Sequence, residues 1–194
     1  MKLIGLCSWA PGSGKTTVAD IISRLHPEQL VLRPSFAGPL RTMLRGLLVE
    51  AGYKHAEAVD ALTCYKHLPV ELLPGAPTPR DLMRTLGTEW GRQLIHPNIW
   101  VGIMERKIQA AGPGDVVIID DVRFPDEFAL IRRLGGTVAA IRRKAAEDLL
   151  SLEQRRHVSD MAPDMTSVGV LIKNDQGLQE LEQQVVSLVR EGVL

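Results

Sequence analysis

The chain of 194 residues is short of cysteine, of aromatic residues and of net charge. Two cysteines, Cys7 and Cys64, are too few for a disulfide framework, and Cys7 lies in an apolar stretch that reads as core. A reducing cytoplasm is therefore the expected compartment. Lys plus Arg and Asp plus Glu number 23 each, so the formal charge is zero. That balance removes the electrostatic footprint of a nucleic-acid binder, while leaving a local basic cleft open. No apolar run reaches the ~18 residues that a membrane span needs. A cleaved signal peptide is not expected either, because cleavage would destroy the motif at residues 10–17. Internal repeats and low-complexity tracts are missing, as are cysteine–histidine clusters of metal-ligand spacing and any serine–histidine–acid set. His157 stands alone and reads as a surface residue or the neighbour of a helix cap. At this length one domain with an insertion is expected, hiding roughly 70% of the extended-chain surface in a core that needs no staples.

What is present is concentrated at Ala10-Pro11-Gly12-Ser13-Gly14-Lys15-Thr16-Thr17. The stretch follows the apolar run Leu3–Cys7 and precedes a helical pattern, which is the context of a phosphate-binding loop. Glycines at 12 and 14 allow successive N–H groups to converge on one anion, and the helix behind them aims its positive end at the same place. Lys15 supplies a mobile charge for β- and γ-phosphates, and the Thr16 hydroxyl suits the shell of a magnesium ion. Trp9 stands where the full motif has its first glycine.

Along the chain, strands are expected at residues 2–8, 30–36, 116–119, 137–141 and 168–172. Helices are expected over 17–25, from Pro39 to Gly52, over 81–95, 100–110 and 125–134, in a charged stretch from 144 to about 156, and in a closing segment marked by Leu178, Leu181, Val185 and Leu188. Residues 53–79 are ambiguous and broken by prolines. Alternation of strand and helix predicts an α/β fold with a parallel sheet, whose ligands bind beyond the carboxyl ends of the strands.

The residues that carry chemistry fall at those ends. Val116–Ile119 runs into Asp120-Asp121, the pattern of a strand that presents a carboxylate to a nucleotide-bound metal. The two side chains point to opposite faces of a continuing strand, so Asp120 is placed on the metal side with Thr16, and Asp121 nearer the acceptor. Arg123 follows at once, and its planar fork suits a phosphate in transfer. Arg142 and Arg143 after the fourth strand form a second candidate pair, clamping the donor phosphates from a lid; a solvated charge run is the other reading of Arg143. Asn174 follows the fifth strand. Residues 36–100 are too long for a plain crossover and are the natural place for an acceptor site. Arg41, Arg80, Arg84 and Arg92 are its scattered cations, and Phe36, Trp90 and Trp100 its aromatics; the tryptophans read equally well as core.

Several segments together resemble the phage-type deoxynucleoside monophosphate kinases, within the P-loop nucleotide kinase fold. They are Gly12–Ala19, Ser35–Arg41, Leu86-Gly87-Thr88-Glu89-Trp90-Gly91-Arg92, Pro97–Trp100, Ile119–Glu127, His157–Asp160 and Ile172–Asp175. The likeness covers most of the chain and is thin at 53–79 and 143–156. It implies a three-layer P-loop kinase fold whose five parallel strands run in the order 2-3-1-4-5, with a core at 1–36 and 112–194, an acceptor-binding helical insertion at about 37–111 and a lid at about 142–160. It implies ATP and Mg2+ on the donor side, held by Pro11, Gly12, Ser13, Gly14, Lys15, Thr16, Thr17 and Asn174, with the metal at Thr16 and Asp120. Lys15, Asp121, Arg123 and Arg142 would act on the transferred group. Phe36, Arg41, Arg80, Trp90, Arg92, Trp100 and Arg123 would hold a deoxynucleoside 5′-monophosphate. The partner expected is thus a small nucleotide, with no nucleic-acid polymer and no membrane; a homodimer stays open, and the setting is the cytoplasm of the host if the chain is phage-encoded. Two other readings stay open as well. One is a P-loop kinase of another phosphorylated metabolite, of the coenzyme-precursor type; the other is a regulatory ATPase.

Overall fold

A computed structural model describes residues 1–150, 163 and 165–194. The expected segment His157–Asp160 and the outer part of the expected lid lie outside the described residues. Two units emerge, one of Met1–Pro34 with Met104–Leu194 and one of Ser35–Ile103.

The first unit is built on the sheet. β1 (Lys2–Ser8), β2 (Val31–Leu32), β3 (Val116–Ile119), β4 (Thr137–Arg142) and β5 (Val170–Lys173) are all parallel and run in the order β2-β3-β1-β4-β5. That is the architecture expected. Every residue of β3 is buried, as a β-branched run covered on both faces should be. One face is covered by α1 (Lys15–Arg24) and α8 (Leu178–Arg190). Val18 and Ile22 of the first and Leu181 and Val185 of the second pack with Ile4, Leu6, Ile118, Ile141 and Ile172. On the other face α6 (Pro125–Arg133) comes so close that a Cβ on Gly5 would lie 2.5 Å from Ile131 Cδ1. α7 (Lys144–Asp148) follows β4. Parallel order puts the β1, β3, β4 and β5 carboxyl ends along one edge, where the loop at 9–14, Asp120-Asp121, Arg143 and Asn174 emerge. β2 is shorter than expected: it pairs with β3 only at Val31 and Leu32, and Pro34, lacking an N–H, cannot extend the ladder. Among the described residues no helix is long and apolar enough to cross a membrane.

The second unit is helical: α2 (Gly38–Glu50), α3 (His55–Thr63), α4 (Pro79–Arg84), a π-helix (Thr85–Ile95) and the start of α5 (Ile99–Gln109). Leu44 and Leu48 of α2 pack with Ala58 and Leu62 of α3 and with Val70 from the proline-broken stretch. The buried stripe of α2 is narrower than its pattern suggests, since Met43 and Leu47 are 44% and 45% exposed. Residues 81–95 are not one α-helix. The wider π turn moves Gly87 and Gly91 to the inside and leaves Leu94 76% exposed.

Candidate active site

The loop between β1 and α1 takes the conformation that its glycines permit. Gly12 and Gly14 have φ of 76° and 101°, a left-handed region that side chains disfavour. Ser13 is buried and its hydroxyl donates to Ala10 O at 2.7 Å. Asn174, at the end of β5, donates from Nδ2 to Ser13 O at 3.0 Å, and Arg143 donates from Nη1 to Gly12 O at 3.3 Å. The outer carbonyls of the loop are thus held by side chains from two other strand ends. α1 begins directly behind, with no acidic residue in its first turn and no side-chain cap on Gly14. Its first N–H groups are left for an anion. Gly12, Ser13, Gly14, Lys15, Thr16 and Thr17, with Arg143 and Asn174, line a cavity of ≈ 440 Å³. A Cβ on Gly12 would meet nothing within 4 Å, so the loop is open on that side. An open loop of N–H donors with a lysine fits a polyphosphate.

Lys15 is half-buried and donates from Nζ to Ser8 Oγ at 2.6 Å. Burial pushes its pKa below the usual lysine value, and Arg123 pushes it the same way. Asp120, Cys7 and Asp121 oppose the shift. Asp120, Asp121 and Arg123 therefore all lie close enough to Lys15 to act on its charge. Behind them, burial pushes the Cys7 thiol up to about 12, with Lys15 opposing, so Cys7 is a packing residue. Thr16 is exposed in the first turn of α1.

Two side chains here, Arg33 and Glu127, were not singled out from the sequence. Arg33, just beyond β2, forks between Asp20 of α1 and Asp120, reaching Asp120 Oδ2 at 3.3 Å. Glu127 is buried in α6, and its Oε2 accepts from the N–H groups of Arg123 and Phe124 at 2.7 and 3.1 Å. It fixes the turn from which Arg123 projects. Of the two arginines after β4, it is Arg143 that reaches the loop. Arg142 pairs with Glu147 at 3.0 and 3.3 Å and lies over the Trp9 ring, 5.7 Å from its centroid. Proximity in the fold, which no local motif encodes, was the missing signal for Arg33 and Glu127. Pro11 is exposed at the outer rim of the loop.

The remaining expected residues belong to the second unit. Trp100 is buried and donates from Nε1 to Gly87 O at 2.7 Å; its ring fills the space that a Cβ on Gly91 would need. Trp90 is 37% exposed, with its ring centroid 6.3 Å from that of Trp100. Phe36 is buried in the turn before α2. Arg92 donates to Pro97 O at 3.5 Å. Arg41 and Arg80 share one neighbourhood, since both act on Lys66.

A family model described as deoxynucleotide monophosphate kinase matches residues 76–185. The chain belongs to that family. The deoxynucleoside-5′-monophosphate kinase of Escherichia phage T5 is 49% identical over 55 residues, which are 28% of this chain but 22% of that protein. A protein of Acanthamoeba polyphaga mimivirus, provisionally named a deoxynucleotide monophosphate kinase, is 29% identical over 203 residues, covering 97% of this chain and 96% of its own. Among solved structures, dephospho-CoA kinase from Campylobacter jejuni superposes with a TM-score of 0.55 at 16% identity, over 98% of this chain and 96% of its own. That likeness carries the fold alone.

Proposed function

We propose that the chain moves the γ-phosphoryl group of ATP to a deoxynucleoside 5′-monophosphate and releases ADP and the deoxynucleoside diphosphate. The observation that carries this reading is the electrostatic grouping of Lys15 with Asp120, Asp121 and Arg123 behind a phosphate-binding loop, in a member of the deoxynucleotide monophosphate kinase family. An acceptor phosphate oxygen is already a nucleophile, so little covalent chemistry is asked of the protein. Positioning and charge stabilisation carry the rate. The N–H groups of Gly12–Thr17 cradle the donor phosphates, and Lys15 neutralises charge on the β,γ bridge. Asn174 keeps the loop in shape from behind. Arg123, anchored through Glu127, faces the transferred group. Arg142 serves as the lid cation only after leaving Glu147, whereas Arg143 already lies against the loop.

Thr16 and Asp120 are the residues that would hold Mg2+. When bound, the ion supplies charge neutralisation between the β- and γ-phosphates. Among the described residues no group of three or more His, Cys, Asp or Glu side chains could hold a metal unaided, which suits an ion that arrives with its nucleotide. Acceptor binding is assigned to the second unit, with Arg41 and Arg80 on the phosphate and the exposed Trp90 face on the base.

A steady-state screen of ATP against all ribo- and deoxyribonucleoside monophosphates, read as ADP release, tests the reading. ADP formation that requires a deoxynucleoside monophosphate is the expected result. ATP hydrolysis indifferent to every monophosphate, or turnover with a non-nucleotide phosphate ester alone, would overturn it.

A further inference from the structure

Among the described residues, the second unit holds three cations, Arg41, Lys66 and Arg80, with no carboxylate among the charges that act on Lys66. Lys66 lies between α3 and α4, in the proline-broken stretch where the family resemblance is thinnest. The Arg80 N–H donates to Lys66 O at 3.0 Å, closing the excursion of chain between them, and Arg80 Nη2 lies 3.3 Å from His67 Nε2. Arg41, from the first turns of α2, donates from Nη1 to Ser35 Oγ at 3.2 Å. Its Nε is buried and has no hydrogen-bond partner among the described residues. Leaving a charged donor buried and unpaired is unfavourable. Burial pushes the Lys66 pKa below the usual lysine value, Arg41 and Arg80 add to that shift, and Cys64 alone opposes it. Half-burying an ammonium beside two guanidinium groups is unfavourable on its own, and an anion would reverse the sign. The anion that matches three cations is a phosphate monoester. It carries a charge of about −1.5 to −2 and three strong acceptor oxygens, suited to arginine forks and one lysine point charge.

We propose that Arg41, Lys66 and Arg80 form one binding site for the phosphate group of the acceptor, and that Lys66 sets its demand for a dianion. The phosphate-monoester chemistry follows from the cluster itself; only the identity of the ester rests on the reading under Proposed function. A charge-assisted hydrogen bond of this kind is worth about 1.5–3 kcal/mol, or roughly 10–150-fold in affinity. The site also titrates. The charged groups acting on Lys66 are Arg41, Arg80 and Cys64, with His67 beside Arg80. Affinity falls as pH rises and Lys66 loses its proton, beginning earlier than for an ordinary lysine.

Two measurements separate this site from the overall reaction. In kinetics, Lys66→Met raises the KM for the deoxynucleoside monophosphate at least tenfold, with the KM for ATP within about twofold; Lys66→Arg restores affinity and flattens the acceptor KM between pH 7.5 and 10. In calorimetry, inorganic phosphate is titrated into protein whose Lys15 loop is filled by saturating ADP. Lys66→Met weakens phosphate binding at least tenfold, and Lys66→Arg recovers it. Melting curves show that both variants fold. Equal phosphate affinity in all three proteins overturns the site, whatever the reaction. A loss in Lys66→Met without deoxynucleotide turnover in the wild type keeps the site and overturns the deoxynucleotide assignment.

Discussion

Replacing Gly14 by alanine perturbs the loop in two ways of comparable size. Gly14 sits at φ 101° and ψ 17°, and an L-residue in the left-handed region costs about 1–2 kcal/mol. The new Cβ would also lie 2.5 Å from Asn174 Nδ2, a distance that real Cβ contacts do not reach. Asn174 is short and tethered at the end of β5, so relief requires it to release Ser13 O, a hydrogen bond worth about 1 kcal/mol. The sum is about 2–3 kcal/mol, or roughly 4–12 °C in Tm for a chain of this size. Gly12→Ala is the internal control: φ is 76° but a Cβ meets nothing within 4 Å, so only the backbone contribution of about 1–2 kcal/mol applies. Urea unfolding of Gly12→Ala, Gly14→Ala, Asn174→Ala and the double variant at 14 and 174 measures each part. Asn174→Ala should add nothing to Gly14→Ala, giving a coupling of about 1 kcal/mol where independent sites would show none. Additive losses at 14 and 174, or a Gly14→Ala variant no less stable than Gly12→Ala, would refute the account of how the loop is held.

Two further outcomes follow from the burial of groups near the loop. The lowered pKa of Lys15 means that the folded protein holds this proton less tightly than the unfolded chain, so protonated Lys15 opposes folding at neutral pH and ceases to do so as pH rises toward 10.5. Lys15→Met should therefore melt no lower than the wild type without nucleotide, yet lose ATP-dependent turnover by about 10²–10³-fold or more; a large drop in Tm, or turnover at the wild-type rate, contradicts this. Cys7, with its thiol pushed up to about 12, should resist iodoacetamide at pH 8 while exposed Cys64 reacts, so intact-mass analysis should find one label in folded protein and two in urea.

The sheet was legible because its strands carry their own evidence. Val116–Ile119 is β-branched throughout and buried throughout, and its bounds are those read from the sequence. Helix α2 was legible in position but not in width, since an apolar repeat of 3.6 residues does not say how many neighbours wait on that face. The π-helix was hidden for a related reason. Periodicity analysis presumes i→i+4 bonding, and over residues 85–95 a wider turn carries Gly87 and Gly91 inward, beside the Leu40 and Trp100 side chains. A glycine scores as a weakness in a helix pattern, so Gly91, which admits the Trp100 ring, and Gly87, which lies against Leu40, read as its least helical positions. Lys66 and Arg33 were illegible because a single cation in a polar stretch has no pattern; only the partners that the fold brings to it give it a role.

Trp9 separates the two kinds of information most clearly. A large residue at the first position of the motif argues against the loop when the motif is taken as a string of residue types. The left-handed conformations fall at Gly12 and Gly14, however, and among the described residues Ala76 is the only non-glycine with positive φ. Position 9 therefore asks for no glycine torsion, and what a side chain there needs is somewhere to go. The guanidinium of Arg142 over its ring, itself held by Glu147, supplies that place. The departure at Trp9 is thus absorbed at the end of β4, and the anion-binding turn keeps the backbone that Gly12 and Gly14 give it.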